Sequence, residues 1–304
     1  MTCFAVLLAE ALEHSMLVAA EHAIDSAGGE IIALRTLSEQ PAAAELTIDG
    51  LHAAAVRQAL RAALADYAVD LCVEDAVEGV RPQKRLLLMD VDSTLVAGEV
   101  IDTLASHAGK GAEVAAVTER AMRGELDFRA SLHERVAALE GLPASVLAEV
   151  RESLTLTPGA LTLIATLQDQ GALVGAVSGG FAQILDPLAE EIGLDYAAAN
   201  TLEVRDGVLT GMVTGSVVDR AEKARTLRAL AEQNGIAAYE TVAIGDGAND
   251  LDMIAAAGVG IAFNAKPIVQ LEAPAILNQP RLDCALLLLG IPRDAFVAGD
   301  EPLR

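Results

Sequence analysis

The sequence predicts an α/β protein: a mainly parallel sheet between helices, a helical insertion after that sheet's first strand, and a small α+β module in front. Continuous apolar runs at 86–89, 173–177 and 242–244 alternate with helical stretches, as buried parallel strands do. Residues 100–154, between the first run and the second, carry helical spacing and no strand signal. Residues 1–80 follow a different order of elements.

In the front region an apolar run at 3–9 suits a strand, and 15–27 has helical spacing that stops at Gly28-Gly29. Strands are expected at 31–37 and 44–49, broken by Pro41. An alanine-rich amphipathic helix at 51–66 and a last strand at 68–73 complete the order β-α-β-β-α-β, the split pattern of ferredoxin-like modules. Arg81-Pro82-Gln83-Lys84-Arg85 reads as a polar linker. Within the insertion, helices fit 112–122 and 128–139. Asp206-Gly207, flanked by apolar residues, signals a hairpin, and 291–304 reads as a frayed tail.

Composition excludes several function classes. A formal charge of −23 would repel a nucleic-acid backbone or an anionic membrane surface. With no Trp and 3% aromatics there is no platform for stacking bases. No apolar run reaches the roughly 18 residues of a membrane span, and residues 1–10 lack a basic leader pattern. Cys3, Cys72 and Cys284 are scattered without metal-ligand spacing, which fits a reducing compartment. The expectation is a cytoplasmic protein with a small-molecule substrate, which local cations and a metal must attract against the overall charge.

Four segments carry chemistry. Asp90 and Asp92 follow the first apolar strand, and alternate residues of an extended chain share a side about 6.5 Å apart. An ionised Asp can attack phosphorus, and its neighbour can protonate a leaving alkoxide. Taken alone, the pair equally fits a solvated turn. The loop Gly245-Asp246-Gly247-Ala248-Asn249-Asp250 follows another apolar strand and supplies hard oxygen ligands. Taken alone, it fits a calcium turn or a capped helix start. Ser178-Gly179-Gly180 offers a hydroxyl and free N–H groups at a strand-to-helix turn, a phosphate cradle. Lys223, near a helix start, could neutralise a transferring group or simply be a surface lysine.

In this order, DVDST, SGG, the lysine and GDGAND resemble the haloacid dehalogenase (HAD) superfamily of phosphotransferases, and within it the phosphoserine phosphatase family. The likeness runs from about residue 86 to 289 and includes LVAGEVID, ANTLEVRDGVLTG and IAFNAKP. It implies a Rossmann-like HAD core at 85–290 with a helical cap at about 100–155. At matching positions, it implies that Asp90 is the phosphoaspartyl nucleophile and a Mg²⁺ ligand. Asp92 becomes the acid/base and ligates through its carbonyl, and Asp246 is the other protein ligand. Ser178, Gly179, Lys223 and Asn249 hold the phosphate, and Asp250 orients the metal's waters or Lys223. Glu99 meets the substrate ammonium, Arg135 its carboxylate, and Met122 and Phe128 wall the site. A zwitterionic amino acid requires one anion and one cation, and Arg grips carboxylates bidentately. His133 departs from the family, which often has a more basic residue there.

More weakly, the front region resembles an ACT-like module, through element order and not through a ligand motif. An amino-acid effector site, a dimerisation role for a homodimer and a purely structural role all stay open. The expected activity is hydrolysis of O-phospho-L-serine to L-serine, the last step of phosphorylated serine synthesis. The rivals are another HAD small-molecule phosphatase or phosphotransferase and, in a different class, a non-catalytic amino-acid sensor.

Overall fold

The computed structural model describes residues 1–122 and 125–299, except for the side chain of Met122. Strand β1 (Thr2–Ala9) is buried over almost its whole length because both its faces are covered. Cys3, Ala5 and Leu7 point to one side, toward α1 (His14–Ser26) and α2 (Ala53–Ala63). Val6 and Leu8 point to the other, into the main core. With β2 (Glu30–Glu39), β3 (Ala42–Asp49) and β4 (Asp70–Asp75), these elements form an antiparallel sheet in the order β2-β3-β1-β4, the expected ferredoxin-like arrangement.

The main sheet is parallel through β11 (Ala275–Leu277), β10 (Val259–Phe263), β9 (Thr241–Gly245), β5 (Leu86–Met89), β6 (Leu173–Phe181) and β7 (Tyr196–Arg205). Strand β8 (Val208–Thr214) returns antiparallel to β7, as the Asp206-Gly207 signal predicts. The two sheets are continuous. Leu71 of β4 pairs with Ile276 of β11, giving one 11-stranded sheet. Asp70 reinforces the seam by accepting from the N–H groups of Asn278 and Gln279 at 2.8 and 3.2 Å.

Helices α7 (Ala160–Asp169), α8 (Ala182–Glu191), α9 (Arg220–Gln233), α10 (Leu251–Ala256), α11 (Pro267–Glu272) and α12 (Cys284–Leu288) accompany the main sheet. The insertion holds α3 (Val100–His107), α4 (Gly111–Met122), α5 (Phe128–Ala137) and α6 (Val146–Ser153), with its own apolar cluster around Leu104, Leu132 and Val136. The β7–β8 hairpin buttresses this cap: the Gly141 and Ala144 N–H groups donate to Leu209 and Gly207 carbonyls.

Two expectations fail. Residues 81–85 are not a solvated linker. Arg81 lies half-buried between Glu45 and Glu74 and donates to the Leu288 carbonyl at 2.7 Å, while the buried Lys84 pairs with Glu74. These charge pairs tie 81–84 to the front module, and the bonds from Arg81 and Lys84 to the Leu288 and Tyr239 carbonyls fasten it to the core; sequence alone cannot distinguish such charges from solvated ones. Nor is 291–299 frayed: Ile291 and Phe296 pack on the main core, and the Val297 N–H donates to Thr166 Oγ1 at 2.9 Å. The rest of that expected tail, 300–304, lies outside the described residues.

Candidate active site

The carboxyl ends of β5, β6 and β9 converge under the cap, where open parallel sheets bind ligands. The Asp90 N–H continues the ladder to the Ile244 carbonyl at 2.9 Å, so the side chain projects from a rigid edge. Lys223, completely buried on α9, donates from Nζ to Asp90 Oδ1 at 2.6 Å and to Asp250 Oδ1 at 2.7 Å. Burial works to discharge this lysine, but Asp250 and Asp90 outweigh it and hold the ammonium charged, above its ordinary range. The surface reading of Lys223 is therefore wrong for this fold. Burial, and then repulsion from Asp250, push Asp90 well above the usual carboxylate range, against the pull of Lys223.

Asp92 is clamped from two sides. Its Oδ1 accepts from the N–H of Val100, the first residue of α3, at 2.7 Å, and its Oδ2 from Ser178 Oγ at 3.2 Å. Burial raises its pKa, which favours the protonated carboxyl. Ser178 does not end its strand as expected: β6 runs on to Phe181, and α8 begins directly after it. Gly179 faces the cap so closely that a Cβ there would come within 2.9 Å of Phe128 Cζ. A Cβ on Gly245 would strike the Asp250 side chain at 2.5 Å, which explains the glycine before that loop.

Carboxylate oxygens of Asp90, Asp246 and Asp250 lie within 4.8 Å of one another, an all-oxygen donor set that fits a hard divalent cation. Asp246 is raised to about 6, by burial first and then by Asp250. A bound cation would reverse that logic and hold the carboxylates ionised.

A cavity of about 680 Å³ opens between this cluster and the cap. Asp90, Asp92, Glu99, Phe128, Arg135, Gly179, Asp246 and Asn249 line it, so the structure assembles nearly all of the site residues read from sequence. Ser178 and Lys223 stand directly behind that wall, donating to Asp92 and Asp90, and Asp250 accepts in turn from Lys223. Met122 was also expected there, but its side chain lies outside the described residues. His133 is exposed. Glu99 sits at the cavity mouth, where it keeps contact with water and accepts from Ser93 Oγ at 3.2 Å. Partial burial, then Asp92 and Asp246, raise it to about 7. Arg135 donates to the Ser131 carbonyl through Nε, and burial lowers its pKa against the pull of Glu99. Sequence reasoning missed Lys266 and Arg220 on the cavity wall. Lys266 lies in the family-like phrase IAFNAKP, whose position after β10 could have flagged it.

Comparison with known proteins agrees with this geometry. A family model described as haloacid dehalogenase-like hydrolase matches residues 87–255. A phosphoserine phosphatase from Streptomyces coelicolor is 53% identical over 91% of this chain, which spans 68% of that protein's length. The crystal structure of a probable phosphoserine phosphatase from Vibrio cholerae, unliganded, superposes with TM-score 0.74 at 34% identity, covering 96% of this chain and 88% of that one. A phosphoserine phosphatase solved as a phospho-aspartyl intermediate analogue superposes at 0.63, with 43% identity over 67% of this chain and 98% of that one. The chain belongs to the haloacid dehalogenase-like hydrolases and, within them, to the phosphoserine phosphatase family.

Proposed function

We propose that this protein hydrolyses O-phospho-L-serine to L-serine and phosphate, as the last step of serine synthesis in the cytoplasm, with Mg²⁺ held by Asp90, Asp246 and the Asp92 carbonyl. The observation that carries the substrate is the placing of Glu99 and Arg135 on the same cavity as Asp90. An anion and a cation there match the ammonium and carboxylate of an amino acid whose phosphate reaches the nucleophile. The relative solved as a phospho-aspartyl intermediate analogue supports an aspartyl phosphate. No helix among the described residues is long and apolar enough to cross a membrane, and the three cysteines are free and buried, in keeping with a reducing compartment.

In the first step an Asp90 oxygen bonds to phosphorus and the bond from phosphorus to the seryl oxygen breaks. Asp92 gives that oxygen its proton, so serine leaves neutral at its hydroxyl. Asp92, now ionised, takes a proton from water as the water oxygen attacks phosphorus. The bond to Asp90 breaks and phosphate departs. Ser178, Gly179, Asn249 and Lys223 bind the phosphoryl oxygens throughout, while Asp250 keeps Lys223 in place. A divalent cation, when bound, supplies positive charge that neutralises the phosphate and keeps the carboxylates ionised.

Phosphate release should favour phosphoserine over sugar phosphates and p-nitrophenyl phosphate, and should stop on chelation and return with Mg²⁺. Preference for a sugar phosphate would replace this reading with another HAD activity. The front module is proposed to bind an amino-acid effector or to pair two copies through the free edge of β2, where Ile32 and Leu34 are exposed. Serine titration of the full chain, together with sedimentation, separates these roles.

A further inference from the structure

Within the phrase ANTLEVRDGVLTG, Asn200 has no role in the chemistry above, yet it is 1% exposed on β7. A buried amide is costly unless it is hydrogen-bonded, and this one has a partner at each end. Its Oδ1 accepts from the Val218 N–H at 2.8 Å, and its Nδ2 donates to the Gly179 carbonyl at 2.8 Å. The orientation of the amide is unambiguous, because a peptide N–H can only donate and a carbonyl can only accept.

The backbone explains why a side chain is needed here. The β6–β7 ladder pairs Val177 with Ala198 and resumes only at Phe181 with Asn200. Ser178, Gly179 and Gly180 therefore bulge out of the ladder, freeing N–H groups for a phosphate but leaving the Gly179 carbonyl without a strand partner. Asn200 supplies that partner. The other half of the same peptide, the Gly180 N–H, donates to Ser178 Oγ at 2.7 Å, and Ser178 Oγ donates to Asp92 Oδ2. At the other end, Val218 directly precedes Asp219, the N-cap of the helix that carries Lys223.

We infer that Asn200 is a positioning residue for phosphoryl transfer: its amide fixes the bulged phosphate loop against the segment leading to Lys223, and holds Ser178 in reach of Asp92. The inference rests on the phosphatase reading but not on phosphoserine as substrate, so a generic ester tests it separately.

In Asn200→Asp the acceptor for Val218 is kept, the donor to Gly179 is lost and the volume is unchanged. With p-nitrophenyl phosphate and with phosphoserine, kcat should fall ~10- to 100-fold, the scale of a small misplacement of a catalytic group. Inhibition by vanadate should weaken in step, while inhibition by free serine, which engages only the amino-acid end, stays within twofold. Asn200→Ser, which restores a short donor, should recover part of kcat. A thermal melt and the serine inhibition verify folding. Unchanged kcat and vanadate inhibition in a folded Asn200→Asp would overturn the inference. So would failure of both variants to fold, which would make the residue purely structural. If phosphoserine proved a poor substrate while p-nitrophenyl phosphate showed the predicted loss, the substrate reading would fall and this inference would stand.

Discussion

Lys223 Nζ stands 2.6 Å from Asp90 Oδ1 and 2.7 Å from Asp250 Oδ1, so one wholly buried ammonium bridges two carboxylates. In water such a pair is worth little. Here each partner has given up its hydration, and removing one strands the others.

Lys223→Met should therefore destabilise the metal-free protein by about 3–5 kcal/mol and abolish turnover. The sign of its pH dependence follows from the carboxylates. Without the ammonium, burial leaves Asp90 raised further above its unfolded value, so the folded state binds protons more tightly than the unfolded one. The variant should regain stability as pH falls and lose it as pH rises through the folded pKa. Urea titrations of chelated protein between pH 5 and 8 read this out.

Glu99 must be ionised to hold an ammonium, and in the free site it is raised to about 7 by burial and then by Asp92 and Asp246. For phosphoserine, kcat/KM should fall as pH drops below that value, because the protonated acid no longer attracts the substrate's amino group. Water at the mouth and a bound cation pull the midpoint downward from there. Glu99→Gln should lose this acidic limb, and p-nitrophenyl phosphate should never show it.

Among the described residues Arg135 forms no hydrogen bond to a carboxylate, and its Nε donates to the Ser131 carbonyl. Its guanidinium is thus available to a substrate carboxylate. Arg135→Ala should raise KM for phosphoserine ~100-fold, the value of a charged hydrogen-bonded contact, and leave KM for p-nitrophenyl phosphate nearly unchanged.

Arg81 bridges Glu45 and Glu74 where the front module meets the core. Arg81→Met should cost about 1–3 kcal/mol by taking one of two cationic partners from each buried carboxylate, since Glu45 keeps Arg35 and Glu74 keeps Lys84. Calorimetry should show the loss, with KM and kcat of the folded enzyme preserved, because the seam lies outside the catalytic cavity.

The sequence makes β5, β6 and β9 visible because they are buried on both faces and read as unbroken apolar runs, whereas the short strands β10 and β11 are not read from it. The chemistry is equally visible, since Asp90, Ser178 and Asp246 sit on or directly after those runs. Properties created by tertiary partners are hidden. Lys223 looks like any lysine on a polar helix until α9 is laid against β5 and the Asp246 loop. Arg81 and Lys84 look solvated until Glu45 and Glu74 arrive from the antiparallel strands β3 and β4. The continuity of the sheet rests on one pairing, Leu71 with Ile276, between strands separated by most of the chain. Asn200 lies inside the family-like phrase ANTLEVRDGVLTG, but nothing local shows that the facing strand would bulge.

Everything proposed for the site depends on Asp90 taking the phosphoryl group from phosphoserine onto its own carboxylate. That bond can be trapped by mixing phosphoserine labelled with ³²P, Mg²⁺ and either wild-type protein or Asp90→Asn, quenching in acid, and following protein-bound label and released phosphate. The expected result is an acid-stable, hydroxylamine-sensitive label on the wild type, and turnover in Asp90→Asn reduced ~10³-fold or more with the fold intact. Label-free wild-type turnover, or near-normal phosphate release by Asp90→Asn, would contradict it.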